Sequence, residues 1–525
     1  MSGTTTASAA PSTPEGLSRR AFLRTGAIAG VGAAVAVAPL ADAIFATPAA
    51  ATGTFVSGDL DLHLLRRATF GLTPKTASKI RSVGRMAWLE TQLAPGAIDD
   101  SFVEGLIADR LPRLSWSIKN AVDNLEGGSW DVMQDLALAS VVRAAWSKRQ
   151  LFEVMADFWS NHLNITNPSS DVWANRHDYD RSVIRAHALG KFSDMLAASA
   201  THPAMMLYLN NAESTKDAPN ENYGRELLEL HTLGVDGGYD EVDMRNSALI
   251  MTGFQIDWDT YGFSYNKSDH YVGAVDVAGF HSSNGSANGG YAVALSYVDY
   301  LAHHPSTATR IATKLVTHFV SDVPDPGLVT QLAQTYLDND TAIKPVLRQL
   351  FASPVFEASL GQKVRRPMED VIATLRILGV QPDAAGTDGI QGLYWMIESL
   401  GNAPMAWSPP NGYPDTADAW RSAGGALGRW NTHMSLAAHW WPDAVQSPDL
   451  RSRFLPKVPG NYGAYVQSLA QQLTFKKFSS EHVAAVCTFL GKTPTDKLGR
   501  GDPAVKGRLP YVIALILDSP YFQMR

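Results

Sequence analysis

From Asp59 onward the apolar positions fall mainly at spacings of three and four, the signature of amphipathic helices. The segment "DLDLHLLRRATFG" keeps that spacing and stops at Gly71, after which Thr73 and Pro74 open a second helix as cap and first-turn proline. "SWDVMQDLALASVVRAAWSKRQLFEVMADFWSNHLNI" predicts one or two long helices. Further helices are predicted at 178–200, 203–212, 220–233, 241–253, 296–302, 305–321, 326–338, 341–352, 366–379, 389–399, 417–440, 462–474, 479–490 and 504–517. Period-two alternation is confined to about 254–295, where "FQIDWDTYGFSYNKSDHYVGAVDVAGF" runs into the Gly/Ser/Asn loop "HSSNGSANGGY". No repeat of fixed period is visible. The pattern predicts a mostly α, multi-helix, two-lobed protein with lobes at 59–253 and 296–525. A small β-rich or irregular insertion, 254–295, lies between them.

The first residues follow a different rule. Ser18-Arg19-Arg20-Ala21-Phe22-Leu23-Arg24 precedes a weakly apolar run of about sixteen residues, too short and too rich in Gly and Ala for a stable span. Ala41-Asp42-Ala43 then offers small residues for cleavage. This reads as a twin-arginine export signal over 1–43 followed by a flexible linker, 44–58. Delivery to the periplasm, cell wall or extracellular space is expected, with no permanent membrane span after cleavage. A lipoprotein anchor is excluded, because the signal has no cysteine. Cys487 is the single cysteine, so no internal disulfide forms, as suits a chain that folds in a reducing compartment before it crosses. With 45% hydrophobic and 18% charged residues the chain can build a large core. A formal net charge of −7 without a basic run argues against a nucleic-acid partner.

Candidate chemistry concentrates in "NENYGRELLELHTLGVDGGY", residues 220–239. Asn220 is expected to cap the helix and Gly234 to follow its end. Arg225 stands four residues from both Glu221 and Glu229, so a solvated ion-pair ladder would account for those three. Glu226 and His231 are five apart, about 140° around an α-helix of about 3.6 residues per turn, which keeps them from sharing one metal through adjacent turns. The order Glu-x-x-Glu-x-His is neither the His-Glu-x-x-His of zincins nor the Glu-x-x-His of di-iron bundles. What remains is a face carrying Asn222, Glu226 and Glu229, suited to hydroxyl-rich ligands or to general acid–base work by one carboxyl.

A second cluster, "MADFWSNHLNI", places Trp159, Asn161 and His162 late in the preceding long helix, where they could face the same cavity. His162 could equally be a buried residue fastening two helices. The blocks "FWSNHLNI", "HPAMMLYLNNAES", "APNENYGRELLELHTLGVDGGY" and "HHPSTATRIATKLVTHFVSD" together resemble an exported bacterial family called DUF-1800. So do the opening "HLLRRATFGLTP" and the late "SPPNGYPDTADAWRS" followed by "GRWN". The resemblance spans about 60–440. It implies a mostly helical, exported protein of unassigned function, and a partner in another exported protein encoded nearby. The matching positions are Trp159, Asn161, His162, Asn220, Glu221, Asn222, Arg225, Glu226, Glu229 and His231. One departure is visible: where the family shows His-Asp with a nearby Gly-x-Lys, this chain has "HYVGAVDVAG", with Tyr271 and Val275 instead, which weakens His270 as a site residue.

Three functions are compatible with these residues. The favoured one is a hydrolase or lyase acting on an extracytoplasmic polymer such as a polysaccharide. Glu226 would be its general acid/base, Glu221 or Asp257 its partner carboxyl, and His162 and His231 would assist. The aromatic, acidic loop Asp257-Trp258-Asp259 with Tyr261, Phe263 and Tyr265 would stack on sugar, and Asn220, Asn222, Arg225, Glu229 and His270 would line the ligand. Two carboxyls about 5–10 Å apart would define a glycosidase. The second is a metal- or cofactor-dependent enzyme, including oxidoreductases, holding a divalent metal with His162, His231 and Glu226 or Glu221. The third is a non-catalytic exported scaffold or binding protein. Arg365, Arg366 and Glu369 are expected to form a structural salt bridge, and no Gly-x-Ser-x-Gly elbow supports a serine nucleophile.

Overall fold

The computed structural model describes residues 55–525. The twin-arginine segment and most of the expected linker lie outside the described residues. The linker's last part does not behave as one: Phe55 and Val56 are buried, and Phe55 packs edge-on against Tyr521 at 5.1 Å. Beyond that point the chain is mostly helical, and its only sheets among the described residues are two antiparallel two-stranded ribbons. No helix among the described residues is long and apolar enough to cross a membrane.

Local signals set many of the helix ends. Asp59 accepts from the backbone N–H groups of Asp61 and Leu62. Thr73 and Thr76 close a reciprocal capping box with Pro74 in the first turn of the Pro74–Val83 helix. Two His-Pro pairs use the same geometry with a less common cap. The Nδ1 atoms of His202 and His304 accept from Ala204 and Ser306, at 3.0 and 3.1 Å. The helices Pro326–Asp338 and Tyr462–Thr474 occupy the predicted 326–338 and 462–474.

The Pro367–Leu378 helix runs through the centre, with all but one of its residues buried, Glu369 and Asp370 included. Gly71 lies directly on it. A Cβ there would stand 2.6 Å from the Ala373 Cα, so only glycine lets the loop after the first helix cross so close. The buried acids are compensated rather than isolated, as low-polarity surroundings demand. Arg366 pairs with Glu369 at 3.2 Å and with Asp157 at 2.6 Å, the structural role expected of this stretch, and Arg525 also reaches Glu369. His433 sits between Asp370 and Asp518, at 3.2 and 2.7 Å. One connected hydrophobic core runs from Phe55 to Phe522, so the expected lobes share it rather than each folding around its own.

The middle segment contains the expected strands. β1 (Phe254–Asp257) pairs with β2 (Gly262–Tyr265), Phe254 opposite Tyr265, and β3 (Val275–Val277) pairs with β4 (Phe280–Ser282). The two ribbons are not one sheet. β3 packs on the Glu241–Ile250 helix, and β1 on the turn around Asn211–Glu213.

Candidate functional site

The polar helix departs from regular α geometry partway along. Residues Glu221–Glu226 are α-helical and Leu227–His231 form a π turn, with the wider i→i+5 hydrogen bonding that often marks functional positions. The Thr232 hydroxyl donates to the Leu227 carbonyl at 2.6 Å, and the Gly234 N–H reaches back to Leu228 at 3.0 Å, φ +89° at Gly234 closing the turn. Five-residue spacing therefore does not mean the 140° of an α-helix here. Upstream, Asn220 caps the helix as expected. Its side chain accepts from Tyr223 N–H and donates to the Leu209 carbonyl, so it is occupied by structure. Gly224 permits a close crossing: a Cβ would lie 2.6 Å from the Met244 carbonyl oxygen and 2.7 Å from Ala248 N.

Arg225 does not form the full ladder. It pairs with Glu241 of the next helix at 3.1 Å and with Glu229 at 3.8 Å, while Glu221 and Asn222 are exposed and form no side-chain bond among the described residues. Glu226 is different. It is half-buried and has neither an ion pair nor a hydrogen bond among the described residues. Burial raises its pKa, the Glu229 charge adds to the rise, and Arg225 opposes both. Its charge is also felt by Tyr208, whose hydroxyl donates to the Ser408 carbonyl.

His162 and His231 do come together, but without Glu226. In His162, Nε2–H donates to the His231 carbonyl at 3.1 Å, which fixes the tautomer and leaves Nδ1 to accept from the Lys314 amine at 2.9 Å. Arg310, one turn before Lys314 on the Pro305–Phe319 helix, donates to the Leu230 carbonyl at 3.1 Å. Burial holds both imidazoles neutral, with Lys314 and Arg310 adding to the effect, and His231 is pushed down to about 3. Lys314 is only partly exposed. That burial, with the Arg310 charge, pushes the amine down to about 7. Neither Lys314 nor Arg310 has a carboxylate within 4 Å among the described residues.

Other expected site residues are committed elsewhere. Trp159 is fully buried, donating to the Ala188 carbonyl and stacked on Phe192, so it is core and offers no face to a ligand. Asn161 clamps the late loop, its amide donating to the Tyr413 carbonyl and its oxygen accepting from Tyr413 N–H. Gly412 is pressed against it. His270 is 2% exposed, and its ring nitrogens meet the Thr252 carbonyl and the Asn284 side chain; it anchors the insertion. Asp257 accepts from the backbone of Asp259 and Thr260 and so shapes the β1–β2 tip. Trp258 projects from that tip, 64% exposed and edge-on to Tyr261. No hydrogen bond or ion pair joins Asp257 or Glu221 to Glu226; the carboxyl that perturbs Glu226 is Glu229.

The donor set does not fit a metal. Among the described residues no three His, Cys, Asp or Glu side chains are arranged to hold one, and both ring nitrogens of His162 are engaged. A recess of about 30 Å³ on another face of the same helix, lined by Glu153, Asp157, Asp180 and Arg185 among others, has room for a water or two. It touches none of the groups above.

Sequence reasoning passed over Lys314 and Arg310. The signal was present as Arg310, Lys314 and His318 at successive four-residue steps, a basic line beside the apolar face of Ile311, Leu315, Val316 and Phe319. No curated protein and no solved structure matches the chain. A family model described as "Protein of unknown function (DUF1800)" matches residues 63–524, which take in the central helix, the π turn and the Lys314 helix alike. The chain belongs to the DUF1800 family.

Proposed function

We propose that the protein is an exported enzyme, a hydrolase or lyase acting on an extracytoplasmic polymer such as a polysaccharide, with Glu226 as its general acid/base. The observation that carries this reading is the state of Glu226. It is a half-buried carboxyl, free of ion pairs and hydrogen bonds among the described residues, and it is held toward its protonated form by burial and by Glu229. A group with raised pKa and no structural bond is suited to passing a proton at neutral pH. Glu229 replaces Glu221 and Asp257 as the partner carboxyl. The exposed Trp258 and Tyr261 at the β1–β2 tip supply an aromatic surface of the kind that stacks on sugar rings. Export rests on the Arg19-Arg20 signal.

The test is Glu226→Gln, which keeps shape and removes the titratable proton. The secreted protein and its variant are incubated with a panel of neutral and acidic polysaccharides. New reducing ends report hydrolysis, and the ultraviolet absorbance of a new double bond reports elimination. Loss of at least a hundredfold in turnover, with an unchanged circular dichroism spectrum and melting temperature, is expected. A folded variant with wild-type turnover overturns the role of Glu226.

A further inference from the structure

The hydrogen-bond inventory around the π turn is lopsided. His231 is 1% exposed and its Nε2 has no partner among the described residues. Arg310 uses one terminal nitrogen on the Leu230 carbonyl, and its buried Nε is likewise without a partner among them. Lys314 spends one donor on His162 Nδ1 and has others left. His231 lies within the fields of both Lys314 and Arg310. The nearby acids bond elsewhere, Glu229 with Arg225 and Asp415 with His318 at 2.5 Å, and the Asp415 charge offsets only part of the burial of Lys314. Arg310 and Lys314 are both partly exposed, so the cluster opens to solvent at one side.

Two donors on cationic side chains, the Arg310 Nε–H and the Lys314 amine, and the unpartnered Nε2 of His231 gather around the π turn. Buried polar atoms in native proteins are nearly all satisfied, and each exception calls for an occupant. A neutral ligand would satisfy hydrogen bonds and leave two positive charges without a bonded counter-ion. A water would do no better. An oxyanion satisfies both demands at once, because its oxygens accept from several donors and its charge pairs with a guanidinium and an ammonium. The geometry points to Arg310, Lys314 and the unpartnered Nε2 of His231, taken up in its N–H tautomer, as the receiving site for one oxyanion group of the substrate. That group would be the carboxylate or sulfate of an acidic polymer. The inference rests on the polymer-processing reading above and narrows its substrate class from polysaccharides in general to anionic ones.

Binding is measured apart from turnover, by calorimetric titration of the secreted protein with glucuronate, a galactose sulfate ester and glucose. Saturable binding of at least one anionic sugar is expected near pH 6, and none of glucose. The affinity for that anion should fall at least tenfold in Arg310→Gln, and also in the unmodified protein near pH 9, where the Lys314 amine is neutral. The preferred anion, carboxylate or sulfate, identifies which acidic polymer is the substrate. Glu226→Gln should bind the anion as the wild type does, which separates this site from the acid/base. Absence of anion binding at pH 6, equal binding of glucose, or binding indifferent to both Arg310→Gln and pH overturns the inference. Each of these outcomes leaves the Glu226 test standing.

Discussion

Replacing Lys314 by methionine should change the sign of its effect on stability between acid and alkaline pH. Burial first, and then Arg310, lower the amine from an ordinary 10.5 to about 7. The folded state therefore binds fewer protons than the unfolded chain between those values, and wild-type stability rises with pH across that window. At ~1.4 kcal/mol per tenfold, holding this ammonium in the fold costs up to roughly 5 kcal/mol at about pH 6. Methionine has a similar length and no charge, so it relieves that cost. It also removes the donor to His162 Nδ1, and a buried acceptor left alone costs about 1–3 kcal/mol at any pH. The variant should thus be the more stable by roughly 2–4 kcal/mol near pH 6, and equal or less stable near pH 9.5. Burial lowers both histidines in the fold, and the points at about pH 8 and 9.5 lie above the ordinary imidazole range, so the change between those two belongs to Lys314. Urea denaturation midpoints for both proteins at about pH 6, 8 and 9.5, in a chloride buffer without oxyanions, provide the measurement. A difference that stays constant over that range would refute an enclosed, uncompensated Lys314.

Gly224→Ala should lower stability by about 1–2 kcal/mol. The new methyl meets backbone at Met244 and Ala248 that cannot swing aside, and the overpacking outweighs the ~1 kcal/mol that alanine gains in a helix; a thermal melt reads it. His433 works in the opposite direction from Lys314. Burial would lower its pKa, but Asp370 and Asp518 overcome that and raise it to about 9, so its contribution is full below about 6.5 and fades as pH rises through about 9. His433→Gln should therefore lose up to roughly 3 kcal/mol at pH 6 and little above pH 9, as urea midpoints would show. Arg19→Lys combined with Arg20→Lys should leave the unprocessed chain in the cytoplasm, scored by fractionation and immunoblot; unimpaired secretion would remove the twin-arginine assignment.

Much of the fold was legible because local rules agreed with one another. Thr73-Pro74, Asn220 and the apolar spacing of 326–338 and 462–474 each say the same thing at every level, and the structure follows them. Departures occur where tertiary contacts override spacing. The predicted helix 178–200 becomes Arg176–Tyr179, a π turn Asp180–Arg185, and a separate helix Phe192–Ala200 after Gly190. The site was half legible. Pairing His162 with His231 followed from noticing two polar clusters on adjacent helices, and the structure joins them through a backbone carbonyl rather than a metal. Placing Glu226 with them did not follow: the cluster is built from the His231 backbone carbonyl, Lys314 and Arg310, which the apolar and polar spacing of one helix does not reveal. Asn161 and Trp159 looked like ligand contacts because they flank His162. In fact one ties down the 407–413 loop and the other fills the core, which a single sequence does not distinguish from binding.

The turn at Leu227–His231 has a consequence for anyone transferring this site. A wider turn holds one more residue than its α counterpart, so everything after it is rotated by about 100° relative to an uninterrupted helix. The site is therefore defined by a phase shift as well as by side chains. Grafting Glu226, Glu229, Leu230 and His231 onto an ideal helix would copy every residue and scatter the groups. Deleting Leu228 would do the same in the native protein while leaving each named side chain in place.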